Sequence, residues 1–214
     1  MYLSRIRINK DIHTSMKFLG SLQVMHATVE GCFTPDDASR KLWRLDYLHG
    51  QPYLLVLSQQ QPDFSHLVEQ FGYAGDTGES RDCYNLFHML ANGQRYRFRF
   101  CGNPVHSIKE GNRERGKVVP HVTVSQQEDW FRSKSEGAGF LPGSFAVVQR
   151  DIKKFTRNGK LVTLHTAIFE GVLQITDADR FRQTLCAGIG RAKSYGCGLL
   201  TLGRLRNRHK PIMR

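Results

Sequence analysis

The 214-residue chain predicts two tandem ferredoxin-like domains of mixed α and β structure, on three observations. Segments that alternate apolar and polar residues are interleaved with segments of helical spacing, in the order strand, helix, strand, strand, helix, strand. A looser version of that order returns in the second half. The length suits two units of about 100 residues, each able to bury its own core.

Each element has its own signal. Residues 2–9 alternate as a strand. Ser21 can cap a helix whose apolar positions are Leu22, Met25, Val29 and Phe33. Residues 41–48 and 53–57 read as strands flanking His49-Gly50-Gln51-Pro52, a hairpin signal. Asp63 can start a short helix through Leu67 and Phe71. Residues 83–90 and 95–101 are expected to pair across Ala91-Asn92-Gly93-Gln94 and to complete a first domain spanning 1–102. Residues 103–125, with Lys109, Arg113, Arg115 and Lys117, read as a basic linker or loop. In the second domain, 126–214, a helix surrounds Trp130 and Phe131. Strands at 145–155 and 161–175 meet at Thr156-Arg157-Asn158-Gly159, where Asn-Gly is a strong hairpin signal. Asp177 caps a helix through Phe181 and Leu185, and residues 199–202 form the last strand.

The net charge is +12, and it is unevenly placed. Residues 1–102 carry 11 Lys or Arg against 10 Asp or Glu, whereas 103–214 carry 20 against 9. A neutral half joined to a basic half is the electrostatic footprint of a nucleic-acid binder. The five cysteines are scattered without a C-x-x-C pair, and the nine histidines lack metal spacing. These patterns predict neither a disulfide framework nor a metal site, and nothing points to a small-molecule cofactor. No apolar run approaches the roughly 20 residues that cross a bilayer, and the opening reads as a strand rather than a signal peptide. The expectation is a cytoplasmic protein without a membrane partner.

Three groups of residues could carry chemistry. The segment 188–198 holds Gly188, Gly190, Gly196 and Gly198 around Arg191, Lys193 and Ser194. Glycines there let the backbone approach a ligand, and the cations suit a phosphodiester. A tight turn between a helix and a strand is the competing reading. The Asn-Gly hairpin carries Arg150, Lys153, Lys154, Arg157 and Lys160, placed either for RNA phosphates or to protect a sheet edge. His26 falls at the border of the apolar face of its helix, with Gln23 and Glu30 on the adjoining polar flank. His106 and His121 lie in or beside the basic loop and are weaker candidates.

Specific stretches extend this reading. Met1-Tyr2-Leu3-Ser4, Met25-His26, Arg99-Phe100-x-x-Asn103-Pro104, Phe169-Glu170-Gly171-Val172-Leu173 and the glycine segment through Leu200 together resemble the CasE family, the repeat-processing endoribonuclease of the type I-E CRISPR Cascade complex. The resemblance runs from the first residue to about Leu202. It implies tandem ferredoxin-like domains that bind the hairpin of the CRISPR repeat. It further implies metal-independent cleavage of precursor RNA at the base of the stem. The product crRNA is expected to stay bound, with the other Cascade subunits as partners. The family's catalytic histidine falls on His26, and Lys193 with the glycines matches its RNA-facing loop.

The chemistry expected is attack by the ribose 2′-OH on phosphorus, leaving a 2′,3′-cyclic phosphate and a 5′-OH. His26 would act as base or acid, with Lys193 and Arg191 offsetting the developing charge. One departure stands out: some members carry tyrosine three residues before the histidine, where this chain has Gln23. An amide can hydrogen-bond a phosphate oxygen but exchanges no proton near neutral pH. The alternatives are a non-catalytic RNA-hairpin-binding module and a structural Cascade subunit.

Overall fold

The computed structural model describes residues 1–109, 116–157 and 159–205, apart from the side chains of Arg157 and Lys160. In order, the elements are β1 (Tyr2–Arg7), α1 (His13–Gly20), α2 (Leu22–Glu30), β2 (Leu42–Leu48), β3 (Gln51–Ser58), α3 (Ser65–Phe71), β4 (Glu79–Asp82), α4 (Tyr84–Met89) and β5 (Arg95–Gly102). There follow β6 (Val105–Ile108), β7 (Lys117–Pro120), α5 (Val124–Glu136), β8 (Phe140–Arg157), β9 (Lys160–Ile175), α6 (Ala178–Ala187), a 3₁₀ turn (Lys193–Tyr195) and β10 (Leu200–Gly203).

Two four-stranded sheets have the orders β2-β3-β1-β4 and β10-β5-β9-β8. In each, the first and third strands of the unit are central and the second and fourth form the edges, which is the ferredoxin-like arrangement. The caps read from sequence are present: Ser21 Oγ accepts from Val24 N, and Asp177 Oδ1 accepts from Arg180 N. A two-residue turn at His49-Gly50 closes the β2–β3 hairpin. Strands β8 and β9 pair up to Arg157 opposite Lys160, the register the Asn-Gly signal predicts, while Asn158 itself lies outside the described residues.

The division between the units departs from expectation. Residues 95–102 do not close the first sheet. As β5 they sit inside the second, between β9 and β10. The reason is core chemistry: Phe98 and Phe100 are buried against Phe131 and Phe169 of the second core. Burying each such ring stabilises by about 1.5–3 kcal/mol. The expected hairpin partner at 83–90 is instead helix α4, which Asp82 starts by accepting from Tyr84 N. The edge strand of the first sheet is the polar tetrapeptide Glu79-Ser80-Arg81-Asp82, paired to β1 through its backbone. It has no apolar alternation to reveal it.

Within residues 103–125, expected as a linker, β6 and β7 pair as a two-stranded ribbon. Arg113 and Arg115 of that stretch lie outside the described residues. Helix α1 also lacked a sequence signal, because Ile12 precedes it and no side chain caps it. The first core packs Ile6, Ile8, Phe18, Met25, Trp43 and Leu54 between the first sheet and α1 to α3.

A charged clamp joins the two units. Arg44 on β2 forms a bidentate pair with Asp46 at 2.7 and 2.8 Å. Its guanidinium also donates to the carbonyls of Arg99 (3.0 Å) and Leu199 (3.1 Å) and to Thr201 Oγ1 (2.9 Å) in the second unit. Arg99 in turn reaches Asp46 at 3.1 Å and pairs with Glu170. Beside the clamp, Leu42 and Leu57 pack against Leu199. Among the described residues, no helix is long and apolar enough to cross a membrane.

Candidate active site

The Ser21 cap fixes the start of α2, so His26 stands one turn after Leu22, at the edge of the helix face that buries Met25 and Val29. Its side chain is 36% exposed, yet Nδ1 is shielded from solvent and has no hydrogen-bond partner among the described residues. The exposed part of the side chain therefore lies away from Nδ1. Glu30, one helical turn on, approaches Nδ1 at 3.7 Å, beyond hydrogen-bond range. Glu30 is itself held 3.5 Å from the Lys41 ammonium, which also donates to the Asp37 carbonyl. Gln23 is exposed on the same helix.

The glycine segment reaches this helix through the turn Lys193–Tyr195. Ala192 (φ 63°) and Gly196 (φ 79°) bracket the turn in the left-handed region. The close approaches these glycines permit are to the protein itself. A Cβ on Gly196 would lie 2.9 Å from the Trp43 ring, and one on Gly188 would lie 2.7 Å from Leu42. Gly196 and Gly198 are buried and Gly188 and Gly190 are half-buried, Gly190 against Trp130 of its own unit. The segment is thus a docking loop of the second unit against β2 of the first, and it carries its polar side chains with it.

Those side chains separate. The Tyr195 ring stands edge-on to His26, with centroids 6.5 Å apart. Lys193 and Ser194 are half-buried in the same turn. Burial pushes the Lys193 ammonium below the ordinary lysine value, and Arg40 adds to the effect. Arg191 is exposed and lines a different groove, with His106, His121 and Lys134. The rings of His106 and His121 meet there tilted, with centroids 4.5 Å apart. Burial first, and then His106, holds His121 below the usual imidazole value.

The β8–β9 hairpin completes the site. Phe155 packs on Tyr195 with centroids 4.7 Å apart, which brings the strands of the basic hairpin to the turn beside His26. Lys154 is exposed. Lys153 pairs with Asp151 at 2.5 Å, and Arg150 donates to the Val122 carbonyl at 3.2 Å. The side chains of Arg157 and Lys160 lie outside the described ones. Among the described residues, no three or more His, Cys, Asp or Glu side chains converge as metal ligands would.

The structure therefore brings together His26, the Lys193–Ser194–Tyr195 turn and the hairpin, and it directs Arg191 elsewhere. Sequence reasoning did not single out Tyr195, the Arg44 clamp or the Glu30–Lys41 pair. For the clamp a signal existed: Arg44 and Asp46 sit two apart in an otherwise apolar strand, so both fall on one face.

Comparison with known proteins bears on this geometry. The model of a family described as CRISPR associated protein matches residues 1–204. The chain is 30% identical over 221 residues to the CRISPR-associated endoribonuclease Cse3 of Thermus thermophilus, covering 94% of this chain and 99% of that protein. A structure of Thermus thermophilus Cse3 bound to an RNA representing a pre-cleavage complex superposes with a TM-score of 0.80 at 25% identity, over 94% of this chain and 98% of that one. The crystal structure of the CRISPR-associated protein Cas6e from Escherichia coli gives a TM-score of 0.70 at 26% identity, over 96% of this chain and 100% of that one.

Proposed function

Since the chain belongs to the CRISPR associated protein family over residues 1–204, we propose that it is an endoribonuclease that binds the hairpin of a CRISPR repeat, cuts the precursor RNA and stays on the crRNA as a subunit of Cascade. The relatives named as endoribonucleases and the RNA-bound structures support this reading. The observation that carries it is the meeting of His26, which exposes one ring edge beside the Tyr195 ring, with the turn that holds a half-buried Lys193.

Cleavage proceeds without a metal, by attack of the ribose 2′-OH on the adjacent phosphorus. The P–O5′ bond breaks, and the products are a 2′,3′-cyclic phosphate and a 5′-OH. His26 moves a proton at the attacking or the leaving oxygen, a role worth about 10²- to 10⁴-fold in rate. Lys193 offsets charge on the phosphorane-like transition state, more strongly for being partly removed from water. Gln23 donates its amide to a phosphate oxygen. Lys153, Lys154, Arg157 and Lys160 follow the backbone of the stem. Arg150, Arg191 and Ser194 add contacts, whereas Gly188, Gly190, Gly196 and Gly198 shape the loop.

The test uses labelled repeat RNA and the purified chain in EDTA, with His26→Ala in parallel. The reading expects a cyclic-phosphate product that the variant fails to form while its binding is unchanged. Binding without cleavage by the wild type would make the chain a non-catalytic hairpin-binding subunit, the reading that Gln23 favours. Cleavage that survives in the variant would move the proton transfer away from His26.

A further inference from the structure

A cleft of about 250 Å³ opens between the two units beside the His26–Tyr195 pair. Its apolar lining includes Leu22, Met25 and Ile168, and three aromatic residues border it: Trp43, Tyr47 and Tyr195. Two features set its chemistry. The cations that reach it are committed, Arg44 and Arg99 to Asp46, Arg99 also to Glu170, and Lys153 to Asp151. Further, the Asp151 carboxylate, 39% exposed, stands on its lining paired with Lys153, so the two together offer a phosphate no net positive charge.

Hydrogen-bonding capacity is nonetheless present. The Gln149 amide and the Asp151 carboxylate line the cleft. A cleft of mixed lining, with aromatic and apolar side chains beside polar and charged ones, suits a heterocycle that has both an apolar face and hydrogen-bonding edges. The volume falls below the roughly 300–1,000 Å³ of sites for larger ligands, so one ring system fills it.

We propose that this cleft receives one unpaired nucleobase of the RNA, next to the phosphate that is cut. The inference rests on the endoribonuclease reading and deepens it. With the base in the cleft, its own phosphate emerges past Tyr195, toward the exposed edge of His26 and the Lys193 turn. Docking the base thereby holds the attacking sugar and the phosphate in one geometry, which is the positioning that in-line attack needs.

The experiment scans repeat RNAs that each carry one abasic nucleotide at successive positions around the cut. Wild type is compared with Gln149→Trp, which fills the cleft from an exposed position, and with Asp151→Asn, which keeps its shape. The proposal expects one unpaired position at which loss of the base weakens binding or slows cleavage about tenfold, the scale of one stacked base. At that position Gln149→Trp should cost intact RNA about as much, and should cost the abasic RNA nothing further. Asp151→Asn should leave the response at that position in place. Independent, additive losses at every position, or unchanged handling of intact RNA by Gln149→Trp, would overturn the base site and leave the nuclease reading standing. Failure of the wild type to bind any repeat hairpin would overturn both.

Discussion

The Tyr195 ring meets His26 edge-on at 6.5 Å with planes at 68°, so a side chain of the second unit braces the imidazole of the first. Phe155 backs Tyr195 from the hairpin at 4.7 Å. Aromatic contacts of this kind contribute about 0.5–1.5 kcal/mol beyond the area they bury. Tyr195→Ala should therefore slow single-turnover cleavage about tenfold, through loss of positioning. Tyr195→Phe keeps the ring and should stay within about threefold of wild type, since the hydroxyl adds little to such a pair. Equal losses in the two variants would assign the effect to the hydroxyl and not to the brace.

The interdomain clamp has a pH signature. Burial pushes the Asp46 carboxyl up, but the hydrogen bond and charge of Arg44, with those of Arg99, outweigh it and hold the group below its ordinary value. A carboxylate with a depressed folded-state value contributes stability above its unfolded value and loses it as pH falls through the folded one. Wild type should keep the clamp into acid below the usual carboxylate range. Arg44→Met leaves Asp46 poorly compensated and should cost about 3–5 kcal/mol in urea unfolding at neutral pH. That deficit should shrink as pH falls through the carboxylate range. A pH-independent deficit would remove Asp46 from the explanation.

Glycine positions that look alike in sequence should respond oppositely. Gly196→Ala combines a φ of +79° with a clash against Trp43 and should destabilise by about 1–3 kcal/mol. Gly20 ends α1 without a positive φ, and among the described residues nothing would lie within 4 Å of a Cβ there. Gly20→Ala should stabilise by about 0.4–1 kcal/mol, by restricting the unfolded chain. Thermal unfolding of the two variants reads both signs.

The hairpin lysines differ in what they can offer RNA. Lys153 is already 2.5 Å from Asp151, whereas Lys154 is exposed on the other face of β8. Lys154→Gln should reduce the slope of log K against log salt by about one, as one lost phosphate contact does. Lys153→Gln should reduce it by less, since Asp151 offsets that charge in the free protein. Equal slopes for the two variants would show that the pair opens on binding.

Lys193 should give RNA binding an alkaline limb. Burial, with Arg40, disfavours its cationic form, so affinity should fall with rising pH earlier than an ordinary lysine allows. Lys193→Arg stays charged throughout and should flatten that limb. The difference at high pH should be about tenfold, the scale of a hydrogen bond to a charged group. Parallel pH profiles would place Lys193 outside the phosphate contacts.

Much of this molecule was legible in one dimension. The turn at His49-Gly50, the pairing of β8 with β9 and the helix caps at Ser21 and Asp177 were readable because a few adjacent residues decide them. The resemblance carried by Met25-His26 and the glycine segment pointed to the helix and turn that meet in the fold. The alternation over 95–101 predicts a strand, but not the sheet that holds it, which is the second and not the first. Alternation tells which residues face inward, not which core receives them.

Composition and short-range pattern were enough for the fold class, the basic second half and the candidacy of His26 and Lys193. Three-dimensional packing was needed to send Phe98 and Phe100 into the second core and to commit Gly188 and Gly196 to contacts with Leu42 and Trp43. Packing also set Tyr195 against His26 and opened a cleft between the units. The difference comes from separation along the chain. Residues more than a hundred positions apart meet when two units bury Leu42, Leu57 and Leu199 together and satisfy Arg44 across the junction. No local periodicity encodes that pairing.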